Sequence, residues 1–122
     1  MSSRELPTRP AGRGKRTASA SVVLIVSASE QLAERCRRLV FVEGADLLAC
    51  DLVSLRGSAA WLNPLAIVLT QDVRAFDPEG FMELSRRIGA ELVVLPSESV
   101  SDTQLTAMIT AALDIAQRRR TD

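Results

Sequence analysis

Ser27 and Ser29 flank Ala28 where an apolar run, Val22-Val23-Leu24-Ile25-Val26, gives way to an amphipathic segment. Hydroxyls at a strand-to-helix junction can cap the helix, and its free N–H groups can hold an anion. Thr70 closes a second apolar run, and Gln71 and Asp72 follow it directly. Cys36 and Cys50 are the two thiols. A nucleophile drawn from Ser27, Thr70 or Cys50 would need a neighbouring base. The chain has no His, and its one Lys, Lys15, lies in a polar stretch near the start. Imidazole acid–base catalysis, His–metal ligation and phosphohistidine chemistry are therefore excluded. The two cysteines stand alone, with no CxxC spacing, so neither a metal site nor a cofactor is expected. Both read as small buried hydrophobes in a reducing compartment. These residues predict a chain that is not an enzyme.

The elements that must position them follow from periodicity. Residues 21–27 read as a first strand, apolar enough to be covered on both faces. Ser27 or Ser29 caps the next helix, where Leu32, Cys36, Leu39 and Val40 share one face and Gly44 ends it. Residues 46–50 form a second strand. Leu55, Ala59 and Leu62 have helical spacing, weakened by Gly57, with Trp61 near that face as a packing residue or, alternatively, an exposed anchor. Residues 65–70 form a third strand, and Gln71 to Phe76 a polar loop. Asp77-Pro78-Glu79 starts a helix: an Asp cap, Pro in the first turn, then an acid. Gly89 ends it, and residues 91–95 form a fourth strand. Ser101 or Asp102 caps a last helix with a stripe of Leu105, Met108, Ile109, Ala112, Leu113 and Ala116. Strands alternating with helices predict an α/β fold: an open three-layer sandwich around a four-stranded parallel sheet of order 2-1-3-4. Its topological switch point falls between strands 1 and 3, beside Ser27, Ser29, Thr70, Gln71 and Asp72.

The 122 residues suffice for one domain, and 47% apolar content supports a core. Net charge is zero but unevenly spread. Residues 1–20 hold five basic residues against Glu5, a net +4, with one Leu. That composition predicts a disordered basic tail. Residues 21–117 form the domain, with seven Arg against 13 acids, a net −6. Residues 118–122 form a second basic end. The basic ends suit an anionic partner, in a salt-sensitive way. Gly12-Arg13-Gly14-Lys15-Arg16 is not a phosphate loop, because no strand precedes it. The start shows no secretory signal, and no apolar run approaches the ~18 residues that span a bilayer. A cytoplasmic location is expected. Heavy use of Ala, Arg and Leu looks bacterial.

Two blocks carry a resemblance. Residues 21–51, from Ser-Val-Val-Leu-Ile-Val through Glu43-Gly44-Ala45-Asp46-Leu47-Leu48-Ala49-Cys50-Asp51, resemble the first strand, first helix and second strand of response-regulator receiver domains. Residues 65–116 resemble the end of that family. Ile67-Val68-Leu69-Thr70 looks like its switch-bearing strand, Gly89-Ala90 through Leu95-Pro96 like its fifth strand, and Thr103 to Leu113 like its closing helix. The resemblance covers roughly two-thirds of the chain. It implies a flavodoxin-like fold with one strand–helix unit missing, because only about thirteen residues link Asp51 to Leu65. It also implies lost chemistry. Ser27-Ala28 stands at the family's magnesium-binding acidic pair, and Leu95 at its Lys. Thr70 takes the acceptor place if residues 65–70 are the acceptor strand, and Leu92 takes the aromatic switch position. The implied degenerate pocket is Ser27, Ala28, Ser29, Thr70, Leu95 and Pro96.

The resulting expectation is a non-catalytic, phosphorylation-independent protein-interaction module in bacterial signalling or regulation. Its expected surface is the fourth strand with the last helix: Leu92, Val93, Leu105, Met108, Ala111 and Ala112. With one neighbour only, that apolar edge predicts a twofold homodimer. The alternative is a small-ligand or nucleotide module using Ser27, Ser29, Thr70, Gln71 and Asp72.

Overall fold

The computed structural model describes residues 21–121. The tail expected over residues 1–20 lies outside the described residues. The elements run β1 (Val22–Val26), α1 (Glu30–Val42), β2 (Asp46–Cys50), α2 (Leu55–Leu62), β3 (Ala66–Thr70), α3 (Gln71–Arg74), α4 (Pro78–Ile88), β4 (Glu91–Leu95) and α5 (Asp102–Thr121). The four strands form one parallel sheet in the order β2-β1-β3-β4, as the alternation predicts. This is a flavodoxin-like three-layer arrangement.

The burial pattern explains the layers. β1 and β3 are apolar at nearly every position and buried at every position, which suits central strands covered on both faces. On one face α1 and α5 bury Leu32, Cys36, Val40, Leu105, Ile109 and Leu113 against Val23, Ile25, Val68 and Val93. On the other, α2, α3 and α4 bury Leu55, Ala59, Val73, Phe81 and Leu84 against Leu24, Val26, Ile67 and Leu69. Right-handed crossovers require this division: the chain reverses direction across the sheet after β2, so α1 and α2 fall on opposite faces.

Helix boundaries follow local chemistry. Ser29, not Ser27, caps α1, its Oγ accepting from Leu32 N–H at 3.2 Å. Asp77 caps α4 through Gly80 N–H at 3.1 Å, with Pro78 in the first turn. Gly89 ends α4 at φ 73°, a left-handed conformation that costs glycine little. Ser101 Oγ accepts from Gln104 N–H at the start of α5.

Three expectations are corrected. Gln71 to Arg74 is a short helix, not loop; one turn is too short for periodicity to reveal. Trp61 does not pack in the core but is 85% exposed, because Leu55 and Ala59 alone carry the buried face of α2. The basic residues 118–120 form the last turn of α5, where cations suit the helix dipole. There Arg118 pairs with Asp114, Arg119 with Glu91, and Arg120 donates to the Pro64 carbonyl. The expected β4–α5 surface is largely interior. Val93, Leu105 and Ala112 are core residues, Met108 packs half-buried against them, and Leu92 is half-buried on the opposite face. Only Ala111 is exposed. β4 does have one neighbouring strand, but α5 on one side and α4 on the other cover its side chains. No helix among the described residues is long and apolar enough to cross a membrane.

Candidate functional site

The C-terminal ends of β1 and β3 gather the hydroxyls that the sequence singles out. The β1–β3 register aligns Ile25 with Val68, so Ser27 falls level with Thr70. Ser27 leaves the strand at φ 51°, while its N–H still donates to the Cys50 carbonyl at 2.9 Å. That left-handed residue turns the chain into α1. Thr70 is almost fully buried, whereas Gln71 and Asp72 are exposed on α3. A hollow of about 350 Å³ opens at Ser29, but it is bounded by Gln31, Leu32, Arg35, Glu98 and Ser99. Thr70, Gln71 and Asp72 do not contribute to it. The five residues of the expected crevice are thus split between two surroundings.

The start of α1 is already served by an anion of the chain itself. Ser29 N–H donates to Glu98 Oε2 at 3.0 Å. A helix N-terminus favours such a negative group. The loop carrying Glu98 is held down by Arg35, which donates to the carbonyls of Glu98 at 3.2 Å and Val100 at 2.5 Å, and to Asp102 Oδ1 at 2.7 Å. An external anion would have to displace this carboxylate. The remaining residues of the implied degenerate pocket offer no charge: Ala28 packs half-buried on the α1–α5 core, Leu95 is fully buried and Pro96 is exposed.

The thiols are poor nucleophiles. Burial pushes Cys36 up to about 11, an effect only partly opposed by Arg35. Burial, with Asp51 close by, also raises Cys50 above its ordinary value. Both are protonated at neutral pH, and the thiolate is the reactive form. Among the described residues no group of three or more His, Cys, Asp or Glu could hold a metal ion.

A different feature has the form of a recognition site. An apolar cleft of about 240 Å³ lies between the start of α2 and the α3–α4 junction. Leu55, Phe81 and Leu84 are its buried floor, and Leu52 and Phe76 stand at its mouth. Phe76 is 77% exposed. Arg56 and Asp77 are its polar members, and Arg56 makes no ion pair with a described residue. Two acids shape it. Asp51 accepts from Ser54 N–H at 2.8 Å and Ser54 Oγ at 2.9 Å, which fixes the turn carrying Leu52 and Val53. Those bonds hold the Asp51 carboxyl below its ordinary value. Asp77, capping α4, lies so close to Gly80 that a Cβ there would collide with the carboxylate. Gly80 thus lets the cap and the cleft wall coexist. Sequence reading missed this site because its residues come from separate segments between 52 and 84. An exposed Phe76 in an otherwise polar loop was its one signal.

No family model matches the chain, and no curated protein matches it. Among solved structures, it is similar to the lactose-specific IIB component domain of the phosphoenolpyruvate:carbohydrate phosphotransferase system from Streptococcus pneumoniae. Identity is 16% and the TM-score 0.49, over 81% of this chain and 95% of that one. The resemblance to response-regulator receivers is therefore corrected: no family model supports it, and the neighbour found belongs to a different family. The physical reason lies in the residues that carried it. Continuous apolar runs such as Val22–Val26 and Ala66–Thr70 are what any covered parallel sheet requires, and they specify no family.

Proposed function

We propose that the chain is a non-catalytic protein-interaction module, and that it seats one apolar side chain of a partner protein in the α2–α4 cleft. The observation that carries this reading is Phe76, an exposed aromatic at the mouth of a floor made by Leu55, Phe81 and Leu84. Size decides between partner classes. Pockets for drug-sized ligands run to roughly 300–1,000 Å³, and a cavity of ~150 Å³ already holds a benzene-sized group. A cleft of about 240 Å³ thus suits one aromatic or branched side chain. Apolar anchors seated in such pockets dominate protein interfaces. The protonated thiols and the internal carboxylate at α1 also favour docking over chemistry at the sheet end.

Peptides displayed on phage and selected against the full chain test this. Enriched sequences should share one large apolar residue. Their affinity should fall at least about tenfold in Leu52→Glu and in Phe76→Ala, both at exposed positions that tolerate change. Bound peptide should shift the amide signals of Gly80 and Phe81. Peptides unaffected by either substitution would overturn the reading.

A further inference from the structure

Among the described residues β2 is an edge strand, hydrogen-bonded only to β1. Main-chain groups along a strand point alternately to its two sides. Asp46 N–H donates to the Ser21 carbonyl, and the Cys50 carbonyl accepts from Ser27 N–H. Residues 46, 48 and 50 therefore turn their main-chain groups toward β1, and Leu47 and Ala49 turn theirs outward. Soluble proteins usually blunt such an edge with Lys, Pro or a bulge. β2 reads Asp-Leu-Leu-Ala-Cys and pairs with β1 one-to-one over residues 46–50, so it has none of these.

Its surroundings are apolar. Of the nine large hydrophobics exposed among the described residues, five come from residues 41–53: Phe41, Val42, Leu48, Leu52 and Val53. A hollow of about 320 Å³ beside the strand includes Phe41, Leu47 and Leu48 in its lining, with Arg37 and Asp46. Arg37 is already paired with Glu34 at 2.9 Å. The ends of the strand carry acids: Glu43 before it, Asp46 at its first position and Asp51 after it, all exposed. An apolar middle between acidic ends selects its complement.

We propose that β2 accepts an added strand: an extended segment of a partner protein with alternating apolar residues and a basic residue at each end. Main-chain bonds to Leu47 and Ala49 would supply the pairing, and Phe41 and Leu48 the apolar contact. Asp46 and Asp51 are five positions apart, roughly 17 Å along a strand, which sets the spacing of the basic residues. This surface adjoins the α2–α4 cleft at Asp51 and Leu52, but its main-chain pairing at Leu47 and Ala49 does not depend on that cleft.

The blocked hexapeptide Lys-Val-Thr-Val-Thr-Arg, titrated into the full chain, is the test, read by amide hydrogen exchange. Exchange at the outward amides of Leu47 and Ala49 should slow at least about tenfold. The same peptide with Glu at both ends should bind at least about tenfold more weakly at low ionic strength. Ala49→Pro removes an outward N–H without touching the β1 ladder and should abolish the protection. Should that variant fail to fold, Asp46→Lys, at an exposed position, should erase the preference for basic ends. Saturating peptide without protection at Leu47 and Ala49 would overturn the proposal. So would equal binding of the acid-ended peptide, or shifts confined to Gly80 and Phe81. Protection of Leu47 and Ala49 in the chain alone, with doubled mass, would make a second copy the occupant and overturn it too.

Discussion

Arg35 makes two kinds of contact, and magnitudes separate them. Its ion pair with Asp102 joins a partner whose side chain is 86% exposed. Exposed pairs contribute about 0–1 kcal/mol. Its bonds to the Glu98 and Val100 carbonyls tie the β4–α5 loop to α1, and bonds from a charged donor contribute about 1.5–3 kcal/mol each. A lysine ammonium cannot reproduce the forked geometry. Arg35→Lys should therefore cost about 1–3 kcal/mol in urea denaturation, and Asp102→Asn under about 1 kcal/mol. Equal losses would show that the ion pair, not the carbonyl clamp, holds the loop. Cys36 gives a second prediction at this scale. Its folded value of about 11 lies above the ordinary 9.0, so the folded state keeps a proton that the unfolded chain has lost. The contribution is full below pH 9 and is lost as pH rises toward 11. Cys36→Ala should flatten that alkaline fall in stability, although it lowers stability at neutral pH by leaving a cavity. An unchanged alkaline slope would assign the fall to other groups.

Elements differ in how far the sequence discloses them, and the difference is physical. α4 is bracketed by local chemistry that acts within a few residues: Asp77, Pro78 and Gly89 occupy the cap positions that their types predict. The strands are legible as apolar runs because β1 and β3 are covered on both faces. α3 is not legible, since Gln71 to Arg74 is a single turn that shows only Val73 to the core. α2 is half legible. Its buried positions, Leu55 and Ala59, follow the spacing, but Trp61 falls outside an eight-residue helix's narrow buried face. The β4–α5 surface misleads for a related reason. Apolar residues on an edge strand look exposed until the two helices that flank the sheet edge are placed over them. Of the candidate sites, the level placement of Ser27 and Thr70 follows from strand order. Glu98 at the start of α1 does not, because it arrives from 69 residues away. The cleft likewise depends on how α2 meets α4, which no local pattern encodes.

At the scale of the whole molecule the sheet is covered unevenly. The α1–α5 face is closed by two long helices, of 13 and 20 residues. The opposite face relies at its β2 end on α2, with eight residues and two buried side chains. β1 and β3 are buried throughout, whereas β2 buries only Leu47 and leaves Leu48 43% exposed. Regions with few buried apolar contacts open at low free energy, and densely buried ones open only with the whole domain. Native-state hydrogen exchange should therefore divide the chain in two. The inward amides of β2 and those of α2 should exchange through a local opening, at least about 1.4 kcal/mol, or tenfold, easier than those of β1, β3 and the buried stretch of α5. Ile67 and Ile109, almost fully buried on opposite faces, should report global unfolding and shift in step with urea. Ala59 should be nearly insensitive to low urea, because a small opening exposes little new surface. If Ala59 and Ile67 instead share one free energy and one urea dependence, the β2–α2 end is part of the cooperative core. Strand addition at β2 would then meet a rigid edge rather than one that opens on its own.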